Sequence, residues 1–213
     1  MSEDKLSKWP TNKGELAARA KQKDWMKKLE TISGKPVEIA KTQNAVYLVI
    51  DCSGSMESRN KLEQAKNGGK GFADEALKKG YAVGLIQFGS EAKHILEPQQ
   101  ELASFYSNVE KLAIAGSTNM AAGIRMAIDK LAKGRERIMC IVTDGMPDDR
   151  TAALSAASEA KNLGIDIMTI GTDDADKDFL EQLATRKDLS LKVVNNQLQQ
   201  GITSMARMLP DKT

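Results

Sequence analysis

Cysteine is scarce in this chain. Cys52 and Cys140 are the only two among 213 residues. That excludes the disulfide framework of a small secreted domain and suits a reducing compartment. Histidine is scarcer still: His94 stands alone, so at most one imidazole is available as a base or metal ligand. Aromatic residues make up 4%, too few for the interleaved basic and aromatic surface that reads nucleic acid. No apolar run reaches 18 residues, and the opening MSEDKLSKWP has no apolar h-region, so neither a membrane span nor a secretory signal is expected. The net charge of +2 gives no strong field toward nucleic acid or an anionic membrane. These absences together predict a soluble cytoplasmic protein, a monomer when alone, with no nucleic-acid or membrane partner.

What is present is ordinary for a globular protein: 41% hydrophobic and 28% charged residues, enough to bury a core. Charge is unevenly placed. Residues 1–40 hold nine Lys/Arg against six Asp/Glu, and the remainder holds 22 against 23. The sequence therefore divides into a mildly basic extension, 1–40, and a main domain, 41–213. Leu16, Ala20, Trp25, Met26 and Leu29 form a ragged apolar stripe, which predicts a helix from Glu15 to about Ile32. Trp25 needs cover, from the main body or from a partner.

From residue 45 short apolar runs alternate with helical patterns. AVYLVI (45–50), YAVGLIQF (81–88), RIMCIVT (137–143), IDIMTIG (165–171) and LKVV (191–194) read as strands, and KHIL (93–96) as a short hairpin partner. Helices are expected near 58–79, 101–111, 119–132 (with Gly134 just past its end), 151–163, 176–184 and 197–208. The run N67-G68-G69-K70-G71 inside the first costs roughly 1 kcal/mol per glycine against alanine. It implies either a kink or a close approach to the sheet. Strands apolar on both faces, alternating with helices, specify a doubly wound, mostly parallel α/β sheet of Rossmann-like type. Such sheets bind ligands beyond the carboxyl ends of their strands, where the strand order reverses.

The residues after AVYLVI and RIMCIVT are therefore the ones to inspect. The first strand ends in D51-C52-S53-G54-S55, and the strand at 137–143 ends in T143-D144-G145. Between them G116-S117-T118-N119-M120 precedes a helix and brings Thr118 to the same rim. The set comprises two carboxylates, Asp51 and Asp144, and three hydroxyls, Ser53, Ser55 and Thr118. All-oxygen donors of this kind suit a hard divalent cation, and near-octahedral coordination with several waters describes Mg²⁺. Two carboxylates balance the ion and the hydroxyls add no charge, so it would accept one more anionic oxygen from another molecule.

These three segments, with the wording VYLVIDCSGSM, GSTNMAAGI and CIVTDGMP around them, resemble the metal-ion-dependent adhesion site (MIDAS) of von Willebrand factor type A domains. The resemblance covers roughly 41–210. It implies a six-stranded sheet with one short antiparallel edge strand, here KHIL. It implies Mg²⁺, or Mn²⁺ or Ca²⁺ in its place, ligated by Ser53, Ser55 and Thr118, with Asp51 and Asp144 acting directly or through water and hydrogen bonds. It implies a binding module rather than an enzyme, with a partner's Glu or Asp completing the coordination. Intracellular bacterial proteins of this kind often work beside AAA+ ATPases or in stress-response complexes, which suggests one class of partner. The extension 1–40 lies outside the family pattern.

Competing readings are set by the same residues. Asp51, Ser53 and Ser55 could be a helix-capping loop, and Asp144 a turn residue. Asp148 and Asp149 read as a solvated turn. His94, on the expected edge strand, reads as a surface residue. The family fold sets the strands of Cys52 and Cys140 side by side, so a buried pair of free thiols is expected, with a disulfide as the alternative. A Ser nucleophile lacks a placed His, and neither G-x-x-x-x-G-K-[ST] nor G-x-G-x-x-G occurs in the required place. The enzymatic alternative that remains is a metal-dependent hydrolase of phosphate esters.

Overall fold

A computed structural model describes residues 44–131, 136–172 and 175–211, which lie in a compact unit spanning Thr42–Thr213. The expected helix at 15–32, Trp25 and Gly134 fall outside the described residues. The strands are β1 (Ala45–Asp51), β2 (Ala82–Phe88), β3 (Ala92–Gln99), β4 (Arg137–Thr143), β5 (Asp166–Gly171) and β6 (Ser190–Lys192). The helices are α1 (Lys61–Lys78), α2 (Leu102–Glu110), α3 (Met120–Leu131), α4 (Arg150–Asn162), α5 (Lys177–Leu183) and α6 (Leu198–Arg207). No helix among the described residues is long and apolar enough to cross a membrane.

The sheet has six strands in the order β3-β2-β1-β4-β5-β6. All neighbours are parallel except β2 and β3. The chain winds outward in one direction through β2 and β3, returns, and winds in the other through β4, β5 and β6. The order thus reverses between β1 and β4. Alternation along β1 explains its unbroken apolar run: Val46, Leu48 and Ile50 belong to one core, Tyr47 and Val49 to the other. The first core lies with α1 and α6, the second with α3 and α4.

The edge strand is longer than KHIL and runs to Gln99 through Pro98. Proline is tolerated there because an edge strand has N–H positions with no ladder partner. His94 is half-buried on it rather than a plain surface residue. Its Nε2 lies 3.0 Å from the Tyr47 hydroxyl, which also donates to Glu97 Oε2 at 3.1 Å. Tyr47 is on β1, so its ring passes over β2 to reach β3. Gly84 makes the passage possible, since a Cβ there would lie 2.4 Å from the ring. The last strand covers 190–192, so Val193 and Val194 of the expected LKVV stand outside it.

The glycines of α1 do not kink the helix; they let it be approached from two sides. A Cβ on Gly69 would meet Leu48 of β1 at 3.0 Å. One on Gly68 would stand 2.8 Å from Ile202 Cβ and 2.9 Å from the Gln199 carbonyl oxygen, and one on Gly71 would stand 2.4 Å from Thr203 Oγ1. The closest approach is thus to α6 more than to the sheet. Gly68→Ala would force backbone apart, which outweighs its gain in helix propensity. We expect a net loss of about 1–3 kcal/mol in stability by denaturant unfolding, whereas Gly54→Ala, whose Cβ would meet nothing closer than 3.8 Å, should leave the midpoint nearly unchanged.

Candidate metal centre

The reversal between β1 and β4 sets two carboxylates beside each other. Ile50 is opposite Val142 in the parallel register, so the next residues, Asp51 and Thr143, end their strands side by side. Thr143 Oγ1 donates to Asp51 Oδ2 at 2.7 Å, and the Ser53 amide donates to Asp51 Oδ1 at 2.8 Å. Asp51 and Asp144 are fully buried. Burial is the largest influence on Asp51 and pushes its carboxyl up to about 6; the bonds from Thr143 and Ser53 pull it down, and Asp144 pushes it up again. A buried carboxylate that is hydrogen-bonded yet still reluctant to ionise is one that a cation would relieve.

The serines join the two acids. Ser55 Oγ donates to Asp144 Oδ1 at 2.7 Å. Ser53 Oγ lies 3.1 Å from Ser55 Oγ, and because the Ser55 proton is directed to Asp144, Ser53 is the donor. Each hydroxyl then keeps a lone pair for an electrophile. Asp51, Ser53, Ser55 and Asp144 therefore form one hydrogen-bonded chain across the strand reversal. A simple capping loop does not account for it: no side chain of that loop caps the 3₁₀ turn at Gly54–Asn60 or the start of α1.

Thr118 arrives on a separate loop. The Gly54 amide donates to the Gly116 carbonyl at 2.8 Å, which fastens the 116–118 loop against the serine loop. Asp148 fixes it from the other side. The Thr118 amide donates to both Asp148 oxygens at 3.1 Å, and the Asp148 amide donates to the Thr118 carbonyl at 3.0 Å. Asp148 is thus a brace for the Thr118 loop and not a merely solvated turn residue, while Asp149 caps α4 by accepting from the Ala152 amide at 2.8 Å. The Thr118 hydroxyl has no hydrogen bond among the described residues.

Sequence reasoning missed one further group. Lys61, the first residue of α1, is buried, and its Nζ donates to Asp144 Oδ2 at 2.6 Å. Its signal was there to read: Lys61 precedes Ala65 by four positions and Gly68 by seven, and both are on the buried face of α1. Cys52 sits between the ligand candidates with its side chain in the core. Burial pushes both thiols up to about 12, and both are free. Cys140 is opposite Leu48, which puts Cys52 about 13 Å further along the strand at ~3.3 Å per residue, too far for a disulfide.

The donor set fits a hard divalent cation. Among the described residues no group of three or more His, Cys, Asp or Glu is placed to hold a metal ion. The alternative is two carboxylates with neutral hydroxyls, and these are the residues that converge.

A family model of the von Willebrand factor type A domain matches residues 45–205. An uncharacterised protein of Synechocystis is 31% identical over 157 residues, covering 70% of this chain and 37% of that protein. The chain spans less than half the length of the curated relatives it matches first. Among solved structures, the vWF domain of the type V pili tip protein Mfa5 from Porphyromonas gingivalis superposes with a TM-score of 0.69 at 16% identity, covering 79% of this chain and 96% of that one. Proximal thread matrix protein 1 from the mussel byssus, with a zinc-occupied MIDAS motif, superposes with a TM-score of 0.69 at 16% identity, covering 81% and 49%. At these identities the structural likeness establishes the fold.

The brace on Thr118 is open to a direct measurement. Asp148→Ala removes the acceptor of the Thr118 amide. It should cost about 1 kcal/mol, since the site is exposed, and should speed hydrogen exchange of the Thr118 amide while leaving the β1 and β4 amides protected.

Proposed function

The chain belongs to the von Willebrand factor type A family, and on that premise we propose that it is a divalent-cation-dependent protein-binding module that takes an acidic residue of a partner at this rim. The observation that carries the reading is the hydrogen-bonded chain from Asp51 through Ser53 and Ser55 to Asp144 at the strand reversal. Asp51, Ser53, Ser55 and Thr118 would hold the cation, with Asp144 behind Ser55. Mg²⁺ suits an all-oxygen, largely neutral set that leaves room for water, and Mn²⁺ or Ca²⁺ would occupy the same donors. When bound, the cation supplies an electrophilic position for a carboxylate from outside. Two exposed apolar side chains come from the loops that form the rim, Ile114 at 38% and Met146 at 42% exposure. They offer a partner apolar contact next to the charge.

An AAA+ ATPase is the partner class that the family resemblance suggests. Among the described residues none favours the hydrolase reading as a base beside the metal: His94 is engaged by Tyr47 on the β3 edge and not at the rim.

Two experiments test the reading. Capture of partners from native lysate should require Mg²⁺, fail in EDTA, and fail with Asp51→Ala, Thr118→Ala or Ser53→Ala/Ser55→Ala, while circular dichroism shows each variant folded. The same proteins eluting in every case would overturn it. Turnover of a phosphate ester that needs Mg²⁺ and Asp144 would favour the hydrolase instead.

Metal affinity should also follow pH. Asp51 must be ionised to hold a cation, and without metal its carboxyl titrates near 6. Affinity is then flat above pH 6 and falls as protons compete below it. Calorimetry should show Mg²⁺ binding about tenfold weaker at pH 5 than at pH 7.5 for this one proton. Because the folded value is raised, the ionised group costs folding stability above pH 6. Without metal, that cost is relieved as the pH falls from about 6 to about 4.

A further inference from the structure

Lysine is rarely buried without a reason, and Lys61 is buried with its side chain 3% exposed against a carboxylate at 0%. Two consecutive residues with left-handed backbone, Arg59 at φ 54° and Asn60 at φ 56°, lead into it. The ammonium occupies Asp144 Oδ2, and the Ser55 hydroxyl occupies Oδ1. Both oxygens of Asp144 are therefore engaged by the chain itself. Asp51 differs: its partners are an amide and a hydroxyl, and no cation of the chain is described beside it.

We propose that Lys61 is a built-in counter-ion of the metal centre, one that keeps Asp144 out of direct coordination and so holds cation affinity down, for Ca²⁺ most of all. The inference rests on the reading of the rim as a cation site. While Lys61 holds Oδ2, Asp144 cannot chelate with both oxygens and acts through Ser55. Ca²⁺ readily takes bidentate carboxylates in larger coordination shells, whereas Mg²⁺ is content with single oxygens and water. Closing the bidentate mode therefore disfavours Ca²⁺ more. The ammonium also repels any divalent ion that settles among its neighbours. The bound ion is left short of negative charge, which is the condition for recruiting a carboxylate from another molecule.

The test is calorimetric titration of the full chain with Mg²⁺ and with Ca²⁺, comparing wild type, Lys61→Met and Lys61→Arg. Lys61→Met should tighten Mg²⁺ roughly tenfold or more and tighten Ca²⁺ by a larger factor. Lys61→Arg, which keeps the charge, should stay close to wild type. Unchanged or weaker Mg²⁺ binding in Lys61→Met would overturn the proposal, as would equal gains for the two ions. Wild type binding neither ion would overturn the cation reading itself, which separates the two failures. Breaking a buried pair is destabilising, so metal-free Lys61→Met should melt below wild type and recover with Mg²⁺. If it is unfolded without metal, the readout becomes the Mg²⁺ concentration that restores near-ultraviolet dichroism. Recovery at or below the wild-type Kd supports the proposal, and no recovery at saturating Mg²⁺ overturns it.

Discussion

Two carboxylates buried side by side at the ends of neighbouring strands are the constraint on which the rest of this rim depends. Asp51 and Asp144 are both without solvent exposure, and like charges in such a place are costly unless donors surround them. The chain supplies those donors from five places: the Thr143 hydroxyl, the Ser53 amide, the Ser53 and Ser55 hydroxyls in series, and the Lys61 ammonium. Among the described residues Asp51 receives neutral donors alone and Asp144 receives a cation, so the two acids are prepared for different work. One remains in need of positive charge. The other already has it.

The scaffold makes this pairing hard to avoid. A central strand buried on both faces meets the outside only at its ends, and the reversal of winding between β1 and β4 opens a gap where two carboxyl ends adjoin. The loops then act as independent fasteners. Gly54 bonds Gly116, and Asp148 bonds Thr118 in both directions, so the Thr118 loop is held from each side without its hydroxyl being used.

Much of this was legible in the sequence. Apolar periodicity located each strand and helix of the described unit, because strands covered on both sides leave an unmistakable run such as VYLVI. The convergence of Asp51, Ser53, Ser55 and Asp144 came from strand ends alone. What periodicity could not supply was side-chain direction. Lys61 shares the buried face of α1 with Ala65 and Gly68, but spacing alone does not show that its ammonium reaches Asp144, a residue of another strand end. Asp148 belongs to a run of acidic residues that composition reads as a wet turn, yet its role comes from a loop 30 residues earlier. His94 was misjudged for the same reason: a gap at Gly84, invisible without the sheet register, lets Tyr47 reach it.

That gap has a mechanical meaning. Backbone hydrogen bonds join each strand of a sheet only to the next, so an edge strand is ordinarily the first to be peeled away. Here Tyr47 reaches from the middle strand past β2 and takes hold of His94 and Glu97 on the edge, and Lys130 at the end of α3 grips Glu97 as well at 2.9 Å. A load applied to β3 is therefore carried in part by β1 and α3. The edge of this sheet is tied to its centre, and a pull on one margin is shared with the strand that ends in Asp51.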